Sequence, residues 1–467
     1  VRFMKQAVCL ALVTGLLAGC GGGSGDSGER ERPPSPKDAH PEKSLAKLSV
    51  PPAYDRTKGW EETLNWVPNP TKSIPVTVAG RANDVAYMTV ASNGYTVHVR
   101  DAETGSVRWS GKPWNPPFPM DDAEGNPDTG TPAEIPDLTV VSQDGREFIV
   151  AWGHGMKGKD DLHNGKEVVQ LAIYPVQGSG RAVVPLREVS VPVDDGNGSL
   201  AVRDGGAGLL ITWGEGITLH NYAASVDVTT GKVTQHGDAD ELMAQCDEAA
   251  CYGSEVEATS THGPVVDMAA GGFGVPNRWF GLDVAPQGVS TRRSLMGGWN
   301  GRVEAAVGGH LVARWAAESG EAIWAVHDAE TGKVEATTTC SVGSLRPDED
   351  QPGYPAVASR DGRYLAAGPL AFDLRQRSGL CLAGDGDRKE VLLASVRDDG
   401  TAYGVVSEGE EVTDDSTQTR VQVSLATGRP MTLGIDTEVP MVPLKESALF
   451  LTRDESDFVR ISVLQNR

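Results

Sequence analysis

The stretch VHVRDAETGSVRW (Val97–Trp109) reads as an apolar strand, a tight Asp-x-x-Thr-Gly turn and a second strand. It recurs as ASVDVTTGKVTQ (Ala224–Gln235), AVHDAETGKVEA (Ala325–Ala336) and, with Ser424 in place of Asp, VQVSLATGRPMT (Val421–Thr432). The Asp or Ser and the Gly shape a turn between neighbouring antiparallel strands, where glycine supplies the positive φ that such turns often need. A second phrase precedes an inner strand: SQDGREFIVAW (Ser142–Trp152), VRDGGAGLLITW (Val202–Trp213), SRDGRYLAAG (Ser359–Gly368) and VRDDGTAYGVV (Val396–Val406).

The two phrases are interspersed along the chain, and recurrence at tens of residues is the mark of a repeat architecture. They divide the chain near 83–112, 138–192, 199–237, 263–296, 302–340, 354–383, 390–434 and 438–465. Short strands rich in Val, Ile, Thr and aromatics dominate, and 56 glycines fit a turn-dense all-β chain. The only stretch with a helix-like pattern is Asp238–Ala250. The last unit is one strand short, and Ile74–Val78 is the expected donor of that strand.

These phrases resemble the repeats of PQQ-like, quinoprotein-type β-propellers, and the Asp-Gly phrases are similar to those of WD-repeat-like and TolB-like propellers. The resemblance covers roughly residues 66–467. It implies an all-β propeller of seven or eight four-stranded blades, its ring closed by an N-terminal strand. Quinoprotein enzymes hold their cofactor under a tryptophan and over a disulfide of adjacent cysteines, with a calcium ion and an aspartate base. This chain has no adjacent cysteines, and only its first unit has the full Thr-Gly-x-x-x-Trp form, ending at Trp109. No cofactor is therefore expected.

The N-terminus carries a separate signal. Arg2 and Lys5 precede an apolar run, Ala7–Ala18, too short for a bilayer span of about 20 residues. Leu17-Ala18-Gly19-Cys20 resembles the lipobox of bacterial lipoproteins, which implies cleavage before Cys20 and acylation of its thiol. Gly21-Gly22-Gly23-Ser24-Gly25 and a polar, Pro-rich stretch follow, a composition that tethers rather than folds. The expected organisation is a signal peptide over 1–19, lipidated Cys20 and tether over 20–52, and a propeller domain over 53–467. The expected location is the outer face of a cell membrane, held to the bilayer through acylated Cys20.

Six cysteines are present. Cys9 leaves with the signal and Cys20 becomes a thioether, so Cys246, Cys251, Cys340 and Cys381 remain. An even remainder in an oxidising compartment suggests disulfides. Of three possible connectivities, the preferred one closes Cys246–Cys251 around a small loop and joins Cys340 to Cys381 across neighbouring units. Without a CxxC pair or nearby paired histidines, zinc is not expected. The formal net charge of −22 disfavours nucleic acid, because so acidic a surface repels phosphate.

Other motifs are weaker. Gly153-His154-Gly155-Met156-Lys157-Gly158 fits GxGxxG, but a strand rather than a helix follows, so it reads as a hairpin. His154, Asp160, Asp161 and His163 are weak candidates for a divalent metal or an acid–base pair; a solvated loop is the preferred reading. The acidic run Asp121–Asp128 falls out of EF-hand register. Trp152, Trp213, Trp315 and Trp324 lie in apolar strands and are expected to fill space between units. Trp114 and Asn115-Pro116-Pro117-Phe118-Pro119 form an insertion that is either a binding lip or a cover for a sheet edge. With no catalytic set assembled, the expected function is a non-catalytic module that binds a protein, glycan or small molecule, or scaffolds an envelope complex. A degenerate quinoprotein dehydrogenase, a metal-assisted hydrolase or a small-ligand sensor is the alternative.

Overall fold

Each Asp-x-x-Thr-Gly phrase folds the same way in the computed structural model. It describes residues 45, 48–195, 198–215, 218–243, 255–268, 271–276, 278–289, 300–346, 353–385, 387–407 and 418–467. The Thr amide donates to the Asp carboxylate at 2.7 Å in the copies at Asp101, Asp227 and Asp328. The Gly amide donates to the carbonyl of the first turn residue at 2.7–2.9 Å in all four copies, Ser424 included. The four glycines have φ between +65° and +78°. Loss of the carboxylate in the fourth copy therefore removes a side-chain bond and leaves the backbone turn intact.

The strands form eight antiparallel four-stranded groups among the described residues, here sheets I to VIII. Sheet II runs from Val76–Ala79 to Val107–Gly111, sheet III from Asp137–Gln143 to Arg187–Pro192, and sheet IV from Ala201–Asp204 to Val233–Asp238. Sheet V runs from Glu255–Ser260 to Trp279–Phe280, sheet VI from Arg302–Val307 to Val334–Thr339, sheet VII from Ala356–Ala358 to Ser378–Cys381, and sheet VIII from Val391–Val396 to Arg429–Thr432. A single parallel pair, Thr337 with Ser378, links sheets VI and VII. The extra strand Gly180–Val183 lies parallel to the edge of sheet II.

Sheet I joins both ends of the domain. Tyr54–Leu64 pairs antiparallel with Val459–Asn466, which continues through Ser447–Arg453 to Val442–Pro443. The donor strand is thus Tyr54–Leu64 and not Ile74–Val78, whose residues from Val76 onward open sheet II instead. Sheet V likewise begins earlier than the sequence suggested. Glu255 and Glu257 alternate with buried Val256 and Ala258, a polar-apolar strand that the charged residues obscure.

Successive sheets share one apolar core each. In sheet III, Phe148 and Val150 pack toward sheet IV while Ile149 and Ala151 pack toward sheet II, since neighbouring side chains on a strand face opposite ways. Both faces are therefore buried, which is why these strands read as continuous apolar runs. The series continues through every neighbouring pair to sheets VII and VIII. An eighth core sets Tyr403 of sheet VIII against Tyr54, Phe450 and Leu464 of sheet I. Leu45, Leu48 and Val50 pack against that last core, and Ser49 pairs with Thr437.

Trp213, Trp315 and Trp324 are buried in these inter-sheet cores and Trp152 packs partly against one, as their apolar strands suggested. Cys340, the residue after the last strand of sheet VI, forms a disulfide with Cys381 in the last strand of sheet VII. The signal and lipidation reading at 1–19 and Cys20, and the Cys246–Cys251 pair, lie outside the described residues. Of the helix-like stretch, the described part holds a four-residue turn of helix, Ala239–Leu242, directly after the strand that ends at Asp238.

Candidate functional site

The insertion between sheets II and III folds back over both. Trp114 and Tyr95 exchange two backbone hydrogen bonds of 2.8 Å, and the Met156 amide donates to the Phe118 carbonyl at 2.7 Å. The glycines of the GxGxxG phrase make this approach possible. A Cβ on Gly155 would lie 2.2 Å from the Phe118 oxygen, and one on Gly153 would lie 2.9 Å from Pro116. The phrase is the end of a strand, Arg146–Lys157, and its glycines admit a neighbouring chain rather than a phosphate.

Under this strap lies a cavity of about 430 Å³, walled by Trp66, Tyr95, Pro116, Pro117 and Pro119, with Glu124, Glu134 and His154 among its polar groups. Its volume suits a small molecule. Trp66 and Tyr95 meet edge to face with centroids 5.4 Å apart, and the Trp66 indole N–H donates to the Met88 carbonyl at 3.1 Å.

His154 lines the cavity with only 6% of its side chain exposed. Its Nδ1 lies 2.9 Å from Glu134 and its Nε2 lies 2.9 Å from Glu167. A neutral imidazole carries one N–H, so two carboxylate acceptors call for the imidazolium. Burial opposes that charge, but the hydrogen bonds to Glu134 and Glu167 outweigh it and raise the pKa above the ordinary histidine value. Burial likewise opposes ionisation of Glu134, yet hydrogen bonds from His154 and Lys72 hold it down at about 2. Lys72 Nζ contacts Glu134 at 2.8 Å.

The four metal candidates are not brought together. His154 is spent on the two glutamates, whereas His163 Nδ1 lies 2.8 Å from Asp160 in an exposed turn, and Asp161 is exposed beside them. Asp160 also accepts the Leu162 and His163 amides at 2.8 Å, which gives it a turn-forming role. In the acidic run, Asp121 pairs with Lys159 at 2.7 Å, and Lys159 stands over the Phe118 ring. The insertion and the His154 strand, by contrast, converge on one cavity. Sequence reading missed Glu134, Glu167, Trp66 and Tyr95 because each reaches the site from a different connection or strand.

A second charged cluster was also not foreseen. Glu255, Glu257 and Asp267 bring their carboxylates within 4.8 Å of one another, close enough to share a cation. The guanidinium of Arg346 occupies that role. It contacts Glu255, lies 2.8 Å from both Glu257 and Asp267, and donates to the Val303 carbonyl. Burial raises Asp267 to about 8 against the pull of Arg346 and Arg302. The cluster ties the connection after sheet VI to sheets V and VI and serves as an internal ion pair.

No protein-family model matches the sequence, and no curated protein matches it. Solved structures do align. The WD40 domain of Toxoplasma gondii coronin is 10% identical, covering 90% of this chain and 89% of that one, with a TM-score of 0.32. The β-propeller domain of the Trilobed protease from Pyrococcus furiosus is 10% identical over 85% and 96%, with a TM-score of 0.36. An uncharacterized Listeria monocytogenes protein is 9% identical over 83% and 92%, with a TM-score of 0.34. At these values the likeness carries no argument about what the chain does, and the fold rests on the sheet order and the shared cores.

Proposed function

We propose that this chain is a lipid-anchored extracytoplasmic protein whose eight sheets form the blades of one β-propeller, serving as a non-catalytic binding module. The ring is closed by Tyr54–Leu64, and its support is the run of eight cores in which the last sheet packs on the first. The observation that carries the binding role is the cavity under the Trp114–Pro119 strap, shaped by two sheets and one insertion. Its histidine has both ring nitrogens committed to carboxylates, so it is held for charge balance and is not poised to take a proton from a substrate. The anchor rests on the Leu17-Ala18-Gly19-Cys20 motif and the tether behind it. Two acyl chains or more hold a protein firmly to a bilayer, whereas one does so only marginally.

The test uses the full chain expressed with an alkynyl fatty acid and extracted in detergent. The wild type takes the label and fractionates with membranes, and Cys20→Ser does neither. Native mass spectrometry of the extracted protein gives the acylated, oxidised polypeptide. A stoichiometric quinone or metal in that spectrum would overturn the non-catalytic reading, and a labelled C20S protein would overturn the anchor.

A further inference from the structure

We infer that the cavity under the strap takes an organic cation: an ammonium head carried on a small apolar body. The inference rests on the binding-module reading and names its ligand class from the polarity of the walls.

The charged donors of the wall are already paired, and the Tyr95 hydroxyl is a neutral one. The Trp66 N–H is bound to Met88, both ring nitrogens of His154 are bound to glutamates, and prolines have none to offer. The amides of Ala133 and Glu134 are taken by the carbonyls of Pro70 and Ala123. Lys72, the nearby primary amine, is spent on Glu134. An anion entering the cavity therefore meets no charged donor that is not already paired.

Acceptors remain. Glu124 is exposed at the rim and has no ion-pair partner among the described residues. Glu134 has its charge held in place by its own partners. Counting Glu167, three carboxylates face two cations, His154 and Lys72, so the site keeps a net negative charge. Trp66 and Tyr95 add an aromatic wall, whose π-electrons attract ammonium groups, beside prolines suited to an alkyl body. Charge, aromatic wall and apolar wall select the same ligand chemistry. That chemistry is available from a free small amine or from a lysine side chain presented by a protein.

The experiment titrates the full chain with three probes by calorimetry and saturation-transfer NMR. These are choline, Nα-acetyl-lysine methylamide, and 3,3-dimethylbutan-1-ol, the neutral isostere of choline. Saturable binding of a cation at millimolar concentration is expected, with the neutral isostere at least about tenfold weaker. Tighter binding of choline assigns a small quaternary amine, and tighter binding of the lysine amide assigns a protein side chain. Glu124→Gln, an exposed substitution, weakens the cation about tenfold and leaves the isostere unchanged. Equal binding of choline and its isostere, or no binding of either cation, would overturn the assignment. Either result with the protein still acylated and cofactor-free would leave the binding-module reading standing, so the two failures are separable.

Discussion

The indole of Trp60 covers Gly105. Trp60 Nε1 donates to the Ala102 carbonyl at 3.1 Å, and a Cβ on Gly105 would lie 2.6 Å from the ring. Trp60 lies on the outer strand of sheet I and Gly105 in the Asp-x-x-Thr-Gly turn of sheet II. The same contact joins Trp109 of sheet II to Gly178 after the third strand of sheet III, and Trp279 of sheet V to Gly332 of sheet VI. Gly231 and Gly428 instead receive Arg187 and Leu380 from the preceding sheets. The turn is thus a docking point as well as a local fold, and glycine is required both for its φ and for the ring that covers it.

Gly105→Ala is expected to destabilise the domain by about 3 kcal/mol, combining left-handed strain with overpacking against Trp60. Gly145→Ala has a similar φ of +73° with open space around it and isolates the strain alone, about 1 kcal/mol. Urea unfolding of both variants checks this, and equal losses would remove the docking role from Trp60.

Arg346→Met leaves Glu255, Glu257 and Asp267 facing one another without their central cation. The expected loss is about 3–5 kcal/mol near neutral pH, the cost of breaking a buried ion pair from one side. Burial raises the pKa of Asp267 to about 8 and raises that of Glu255 as well. Groups with raised folded pKa values favour the fold at low pH and oppose it as pH rises through those values. The deficit of the variant should therefore shrink as pH falls from about 8 toward 4, read by thermal unfolding across that range. A deficit independent of pH would mean that lost packing, and not charge, is responsible.

Two histidines are expected to act with opposite sign. His327 donates from Nδ1 to the Gly332 carbonyl and accepts from Trp315 at Nε2, and burial lowers its pKa to about 4. Its stabilisation is complete above its unfolded pKa of 6.5 and is lost as pH falls toward 4, roughly 3 kcal/mol in all. His154, with its pKa raised, stabilises fully below 6.5 and loses that contribution as pH rises through its folded value. His154→Gln should thus be most destabilising in mild acid, whereas His327→Leu should flatten the acid limb. Denaturation curves between about pH 4 and 9 distinguish them.

The Cys340–Cys381 bond closes a loop with a sequence separation of 41 beside the single parallel pair joining sheets VI and VII. Loop-closure entropy puts its contribution at about 4 kcal/mol. The Cys340→Ala/Cys381→Ala double variant should lose close to that amount in urea, and reductant should then leave its stability unchanged. A double variant as stable as the oxidised wild type would show that the sheets hold one another without the bond.

The sequence by itself determined the turns and, through them, the spacing of the sheets. Asp101, Asp227 and Asp328 each bind a threonine amide three residues on, and such short-range chemistry is written in consecutive letters. The apolar runs of sheet III were equally legible, because burial on both faces leaves no polar alternation to misread. Only the tertiary structure decided which extended segment completes sheet I. Ile74–Val78 is the more apolar stretch, but Tyr54–Leu64 pairs in register with Val459–Asn466 and sets Trp60 against the next turn. The site follows the same rule. His154 takes its partners 20 and 13 residues away, and Arg346 reaches carboxylates 79 to 91 residues earlier. No local pattern encodes such pairings, since each depends on what the fold sets side by side: Glu167 meets His154 across a strand pair of sheet III, Glu134 comes from the insertion, and Arg346 reaches from the connection after sheet VI to sheet V.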